Sequence, residues 1–280
     1  MLTINNKQKK YTPFLKGKYE VSPGLFPLAL DFKSTDPDHH IIQIDENIYK
    51  YLKNKQECRD DDITKYYRKH DEDSNSVKAA NKFVLKHITE TYPQYFQLAK
   101  NNGINSLKCL LTEKLITFTD NYELIENTEF LSLYDALSSQ VPEDLVICQL
   151  TENNDWLSTI HLCSPSYWCA EEKIGMNFEQ VHNPVPGMER MIQNYRPMIE
   201  AVVRKGPFFR FIWELNTDTT LNHATKNKVS LNPHYWQEKK FDINNPELYV
   251  RVERQSIVGF PDTNAFLFAI RTYHTPVKDL

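Results

Sequence analysis

Glycine is scarce in this chain. Its 280 residues include seven glycines (Gly17, Gly24, Gly103, Gly175, Gly187, Gly206 and Gly259), and no two lie closer than seven residues apart. A dinucleotide fingerprint or a P-loop needs closely spaced glycines to bring backbone N–H groups onto phosphate, so neither is present. The Gly-flanked serine of a nucleophile elbow is missing as well. The five cysteines (Cys58, Cys109, Cys148, Cys163 and Cys169) are odd in number and never spaced Cys-x-x-Cys. That argues against a disulfide framework, a zinc ribbon and a cysteine-ligated iron–sulfur cluster. Nor is there an excess of basic charge: 33 Lys and Arg face 37 Asp and Glu, for a net charge of -4. No nucleic-acid partner is expected from that balance. No apolar run approaches the ~18 residues of a membrane span, and Met1–Lys10 lacks the apolar stretch of a secretory signal. The chain reads as soluble and cytoplasmic, without a membrane partner.

What is present is ordinary globular composition, 40% hydrophobic, 12% aromatic and 25% charged. Residues 11–36 are irregular and proline-spaced, as in an extended segment lying on a neighbouring surface. Ile44, Ile48, Tyr51 and Leu52 predict a helix over 42–57. The charge-rich stretch 60–76 reads as a solvated connector. Ser76 is placed to cap a helix that carries Val77, Ala80, Val84, Leu85 and Ile88 and ends before Pro93. Segments 106–118 and 129–138 are short and apolar, with helix and strand hard to separate in the first.

The character changes after residue 140. Two strands, 145–150 and 156–163, are joined by a polar turn at Asn153-Asn154-Asp155. Some forty helical or irregular residues follow, and then strands at 208–216, 248–257 and 265–273. A polar insertion, 217–247, separates the first two of these. This order suggests an α+β fold: a PAS-like antiparallel five-stranded sheet with helices over 141–280, and an extended, mainly helical N-terminal region over 1–140 packed on it. A ligand can lie between the layers of such a fold.

Alternation places Phe209, Phe211, Trp213 and Leu215 on one face of their strand and Arg210, Glu214 and Asn216 on the other. Arg251, Glu253 and Gln255 oppose Val250, Val252 and Arg254. Arg210, Glu214, Arg251, Glu253 and Arg271 could form a cross-strand charge ladder on an outer face. Arg254 extends an apolar row, so it points inward and needs an acidic partner, either a protein carboxylate or the carboxylate or phosphate of a ligand. A bulge near Gly259 would instead release it to solvent. His182 precedes Asn183-Pro184-Val185-Pro186, which ends any helix there. It is either a buried histidine bonded to backbone or a rigidly aimed ligand, such as an axial haem ligand. His161, His223 and His234 are weaker candidates.

Several motifs recur together in chain order: Gly24-Leu25-x-Pro27-Leu28, Glu143-Asp144-Leu145, Pro165-Ser166-x-Trp168, Trp168-x4-Lys173-x-Gly175, Val181-His182-x-Pro184-Val185-Pro186, Arg251-x-Glu253-Arg254-Gln255 and Phe268-x-Ile270-Arg271-Thr272-Tyr273. The set resembles the haem-dependent oxidative N-demethylase α-subunit family, from about residue 11 to the C-terminus. The resemblance implies haem b in a PAS-like domain, with His182 as the axial ligand to the iron. Arg254 is implied as a propionate or pocket contact, with Arg210 and Arg251 as further candidates and Trp168 and Trp213 as walls. It implies oxidation of a methyl group of a small secondary amine, such as dimethylamine, by O2. Electrons would come from separate flavin- or ferredoxin-type reductase partners. The chain departs from the family pattern at Tyr167, where a basic residue is usual, and at Ile212, where asparagine is. A haem or small-ligand sensor without turnover and a cofactor-free scaffold are the other readings of the same residues.

Overall fold

A computed structural model of the chain describes residues 2–16, 23–30, 39–125, 129–185, 187–224 and 248–280. His234, Pro186 and most of the insertion, 225–247, lie outside the described residues. Among those described there are seven α-helices, a seven-stranded antiparallel sheet and a three-stranded one. None of the helices is long and apolar enough to cross a membrane.

Of the N-terminal segment, the described parts at 11–16 and 23–30 lie on a neighbouring surface. Tyr11 and Phe14 pack on aromatic side chains of the large sheet, and β1 (Phe26–Pro27) pairs with one edge of it. Helix α1 (Ile48–Tyr66) buries Ile48, Tyr51, Leu52, Lys55 and Cys58 at helical spacing. It extends well into the stretch read as a connector. The helix is interrupted at Asp62, where the carboxylate accepts from the Thr64 N–H and hydroxyl and restarts a last turn. Next, β2 (Tyr67–Lys69) adds to the other edge of the large sheet. Helix α2 (Ser74–Thr91) starts three residues earlier than Ser76 suggests, because Asp73 is the cap. Its carboxylate accepts from both the N–H and the hydroxyl of Ser76.

A three-stranded sheet interrupts the mainly helical N-terminal region expected and makes strand of most of 106–118, where the sequence leaves helix and strand both open: β3 (Phe96–Asn101), β4 (Ile104–Cys109) and β5 (Lys114–Thr119). The first hairpin turns on Asn102-Gly103, both at positive φ (47° and 83°), the geometry that a two-residue turn demands. Helix α3 (Leu133–Ser138), capped by Ser132, closes this half.

The second half begins with β6 (Asp144–Leu150) and β7 (Asp155–His161), followed by four short helices: α4 (Ala170–Lys173), α5 (Phe178–His182), α6 (Glu189–Ile192) and α7 (Tyr195–Lys205). Strands β8 (Phe208–Asn216), β9 (Tyr249–Phe260) and β10 (Ala265–Pro276) complete it. The large sheet runs β1-β8-β9-β10-β6-β7-β2. The five strands expected from the sequence form its centre, and the two short N-terminal strands extend it at both edges.

Both faces of this sheet are covered outside β8. One buries Val146, Cys148, Ile160, Ile257 and Phe266 against Ile199, Val202 and Val203 of α7. There Gly259 permits a close approach, since a Cβ on it would fall 2.0 Å from the Val203 carbonyl oxygen. The other face buries Leu145, Ile147, Leu267 and Ala269 against residues 41–52, α2 and α3. With both faces covered outside β8, where Ile212 and Leu215 are exposed, strand alternation gives which residues point together but not toward which layer.

Candidate functional site

His182 is the last residue of α5. Asn177 caps that helix, accepting from the Gln180 N–H while the Gln180 side chain accepts from the Asn177 N–H. Asn183 and Pro184 follow, and the helix goes no further, as the proline requires. The imidazole Nδ1 lies 2.8 Å from the Phe178 carbonyl oxygen. A carbonyl only accepts, so Nδ1 carries the proton and Nε2 keeps its lone pair. The backbone hydrogen bond of a structural histidine is therefore present, but it occupies one nitrogen. Nε2 makes no hydrogen bond among the described residues.

Stacked rings fix the orientation. His182 lies on Phe178 at 4.1 Å between centroids, and Phe178 lies on Tyr195 at 4.9 Å and 11°. Asp155 ties the stack to β7. One carboxylate oxygen accepts from the Tyr195 hydroxyl at 2.9 Å, the other from the Phe178 N–H at 2.7 Å. Burial, helped by the Arg210 and Lys173 charges, holds the His182 pKa below its ordinary value. The ring is neutral at pH 7, the form in which a histidine binds a metal.

Arg210 and Arg251 belong to the helix-covered face. Register pairs Arg210 with Gln255 and Glu214 with Arg251, so the charge ladder exists in part, with Arg251 buried and Glu214 half-exposed. Arg210 Nε is buried with no hydrogen-bond partner. Burial lowers the pKa of its guanidinium, and Glu253 opposes that. Arg251 is fully buried and more engaged. It donates to the Ser164 carbonyl at 2.7 Å and the Thr272 hydroxyl at 3.2 Å, and it pairs with Glu214 and Glu253 at 3.4 Å each. Trp168 packs half-buried on the same layer.

Arg254 and Trp213 face the other way. Arg254 points inward, as its apolar row requires, with no bulge to release it. Its guanidinium donates to the carbonyls of Ile41 at 3.1 Å and His40 at 2.6 Å. Trp213 meets Phe14 edge to face. Arg271 shares that layer and pairs with Asp45 at 2.6 Å, so it is not part of the ladder with Arg251. The structure thus brings Arg210, Arg251 and Trp168 to the face that α5 covers. It does not bring Arg254 or Trp213 there, because pairing puts them on the opposite pleat.

Of the other histidines, His161 is buried on β7 against Asp135, and His223 lies beside Asp218 under the Tyr167 ring. Four of the five cysteines are buried and all are free. The motif carboxylates turn out to be internal ties. Asp144 accepts from the N–H groups of Cys163 and Ser164, and Glu143 accepts from that of Gln43. Gly175 sits at φ 79°, with the His70 ring 2.9 Å from where a Cβ would be. Sequence reading missed Asp155 and Tyr195, whose forty-residue separation left no local signal.

The donor set fits haem. His182 supplies one neutral nitrogen, so a metal on it needs its remaining ligands from a macrocycle, and the unsatisfied donor of Arg210 suits an anionic edge such as a propionate. A family model described as haem-dependent oxidative N-demethylase, alpha subunit-like, matches residues 32–280.

Proposed function

Since this chain belongs to the haem-dependent oxidative N-demethylase, alpha subunit-like family, we propose that it is the haem-carrying subunit of an oxygenase acting on a small secondary amine of the dimethylamine kind. One O2, two electrons and two protons would enter with the amine. Formaldehyde, the amine shorter by one methyl group, and water would leave. The observation that carries this reading is the His182 imidazole, with its Nδ1–H anchored on the Phe178 carbonyl and Nε2 left as a lone pair.

His182 would hold haem b through Nε2. Bound there, the haem supplies oxygen activation and oxidation of the methyl carbon, as cofactors carry such chemistry in general. The chain's own contribution is positioning and electrostatics. The Phe178 carbonyl makes the imidazole a better donor to a metal, and the stack on Phe178 and Tyr195 keeps the ring from turning. Arg210 would offer its free Nε to a carboxylate, with Arg251 behind it as a fixed positive charge. Trp168 would shield the layer from water. Support for a PAS-like reading comes from the central order β7-β6-β10-β9-β8, with the four short helices between the second and third strands. Electrons would arrive from separate flavin- or ferredoxin-type subunits, since the sequence holds no nucleotide cradle and no cluster cysteines.

The test is reconstitution with haem. We expect a Soret band that disappears in His182→Ala while the far-UV spectrum stays unchanged. Amine-dependent formaldehyde release with a surrogate reductant should accompany it in the unaltered protein. An unchanged Soret band in His182→Ala overturns the ligand assignment. Haem binding with ligand-induced shifts but no formaldehyde would favour a sensor instead.

A further inference from the structure

A second candidate site lies in the N-terminal half, away from His182. A cavity of about 220 Å³ opens between α1, the start of β5 and the end of α3, lined by residues including Leu52, Lys55, Arg59, Lys114, Phe130 and Gln140. The three cations on its wall differ in how their charge is answered. Arg59 pairs with Asp135 and Lys114 with Glu129. Lys55 has no such partner among the described residues.

Lys55 is 3% exposed. Its ammonium donates to the main-chain carbonyls of Ser138 and Glu143, both at 2.6 Å. An ammonium has three N–H donors; two are used among the described residues, and Lys55 lines the cavity. Asp144 lies near enough to feel the Lys55 charge, yet its oxygens are taken by the N–H groups of Cys163 and Ser164. Burial pushes the Asp144 pKa up to about 6, so at pH 7 it is mostly ionised and answers Lys55 only from a distance, with no ion pair between them. A buried ammonium with no carboxylate in contact is costly, and a cavity beside it is where a mobile counter-ion would sit. Gln140 adds a second donor. Its Oε1 accepts from the Thr112 hydroxyl, which leaves the amide N–H2 for a ligand. Leu52 and Phe130 form the apolar part of the wall.

We propose that this cavity binds a small organic carboxylate, with its oxygens on Lys55 Nζ and Gln140 and a short alkyl tail against Leu52 and Phe130. The proposal is independent of the haem reading. It is tested on the full chain by thermal unfolding with butyrate, against sodium chloride at equal ionic strength. A saturable rise in Tm is expected, about 3 °C at tenfold over Kd, and Lys55→Met should abolish it. Should that variant fail to fold, Gln56→Trp, at an exposed position on the cavity rim, should plug the site and abolish the rise as well. Lys100→Met, exposed on β3, should retain it. No rise beyond that in chloride, an equal rise in a folded Lys55→Met or Gln56→Trp protein, or a loss in Lys100→Met overturns the proposal.

Discussion

The two faces of the large sheet each carry two inward-pointing arginines, and the faces use them differently. On the face toward the N-terminal half, Arg271 pairs with Asp45 at 2.6 Å and lies over the rings of Tyr51 and Tyr273 at 4.6 and 5.1 Å. Arg254 donates to the carbonyls of His40 and Ile41. Both guanidiniums fasten the segment before α1 to the sheet. On the helix-covered face, Arg251 is similarly engaged, but Arg210 makes no hydrogen bond or ion pair among the described residues and stands beside a neutral histidine. A guanidinium inside a protein is therefore no sign of a binding site by itself. Nor is one spare donor, since the Nε atoms of Arg251 and Arg271 also lack acceptors; the sign is a guanidinium that no carboxylate or carbonyl among the described residues answers.

The largest expected effect tests the clamping face. Arg271→Met leaves Asp45 and Glu143 buried without their cation, and losing one member of a buried pair costs about 3–5 kcal/mol. Urea unfolding should show that loss, whereas His182→Ala on the other face should shift the midpoint little. The reverse order would break the contrast between clamp and site.

Much of this contrast was legible in the residues, though not its sidedness. Alternation correctly separates Arg254 from Arg251 and Trp213 from Arg210, since a strand's pleat is local. Which layer each row meets depends on residues 39–52 and 170–205, and no strand records that. The position of His182 at a helix end was legible because Pro184 forbids continuation. The N-terminal three-stranded sheet had its signal in Asn102-Gly103, a favoured hairpin pair, which the apolar flanks obscured. Strand β2 had none: Tyr67-Arg68-Lys69 is a strand only because β7 lies beside it. The ordered motifs told the family, while the structure assigns many of their members, Asp144 and Arg271 among them, to holding the layers together.

A smaller effect separates the faces by pH. Burial outweighs the nearby Arg271 charge and pushes Glu143 up to about 7, and its Oε2 has no partner. A carboxyl with a raised folded-state pKa stabilises the fold fully below its unfolded value near ~4 and loses that contribution as pH rises through the folded value. The stability of the protein should therefore fall by about 2–3 kcal/mol on this account between pH 4 and pH 8. Glu143→Gln keeps the acceptor for the Gln43 N–H and removes the titration. Its stability relative to the unaltered protein should rise with pH across that window. A pH-independent difference between the two would mean that Glu143 is not protonated in the fold.

The smallest effect concerns how His182 is aimed. Asp155 holds two donors, the Tyr195 hydroxyl and the Phe178 N–H, and asparagine offers one carbonyl oxygen in place of two carboxylate oxygens. Asp155→Asn should cost about 1 kcal/mol, the worth of one hydrogen bond. Its more telling consequence is for the imidazole, which can be followed by nitrogen NMR without haem. The intact protein should show the Nδ1–H tautomer and a pKa below the ordinary histidine value, as burial dictates. Once Phe178 and Tyr195 are loosened, water reaches the ring, so the variant should show mixed tautomers and a pKa closer to that of a free histidine. An imidazole signal identical in the two proteins would mean that the Phe178 carbonyl alone aims His182, and that the link to β7 only holds helix to sheet.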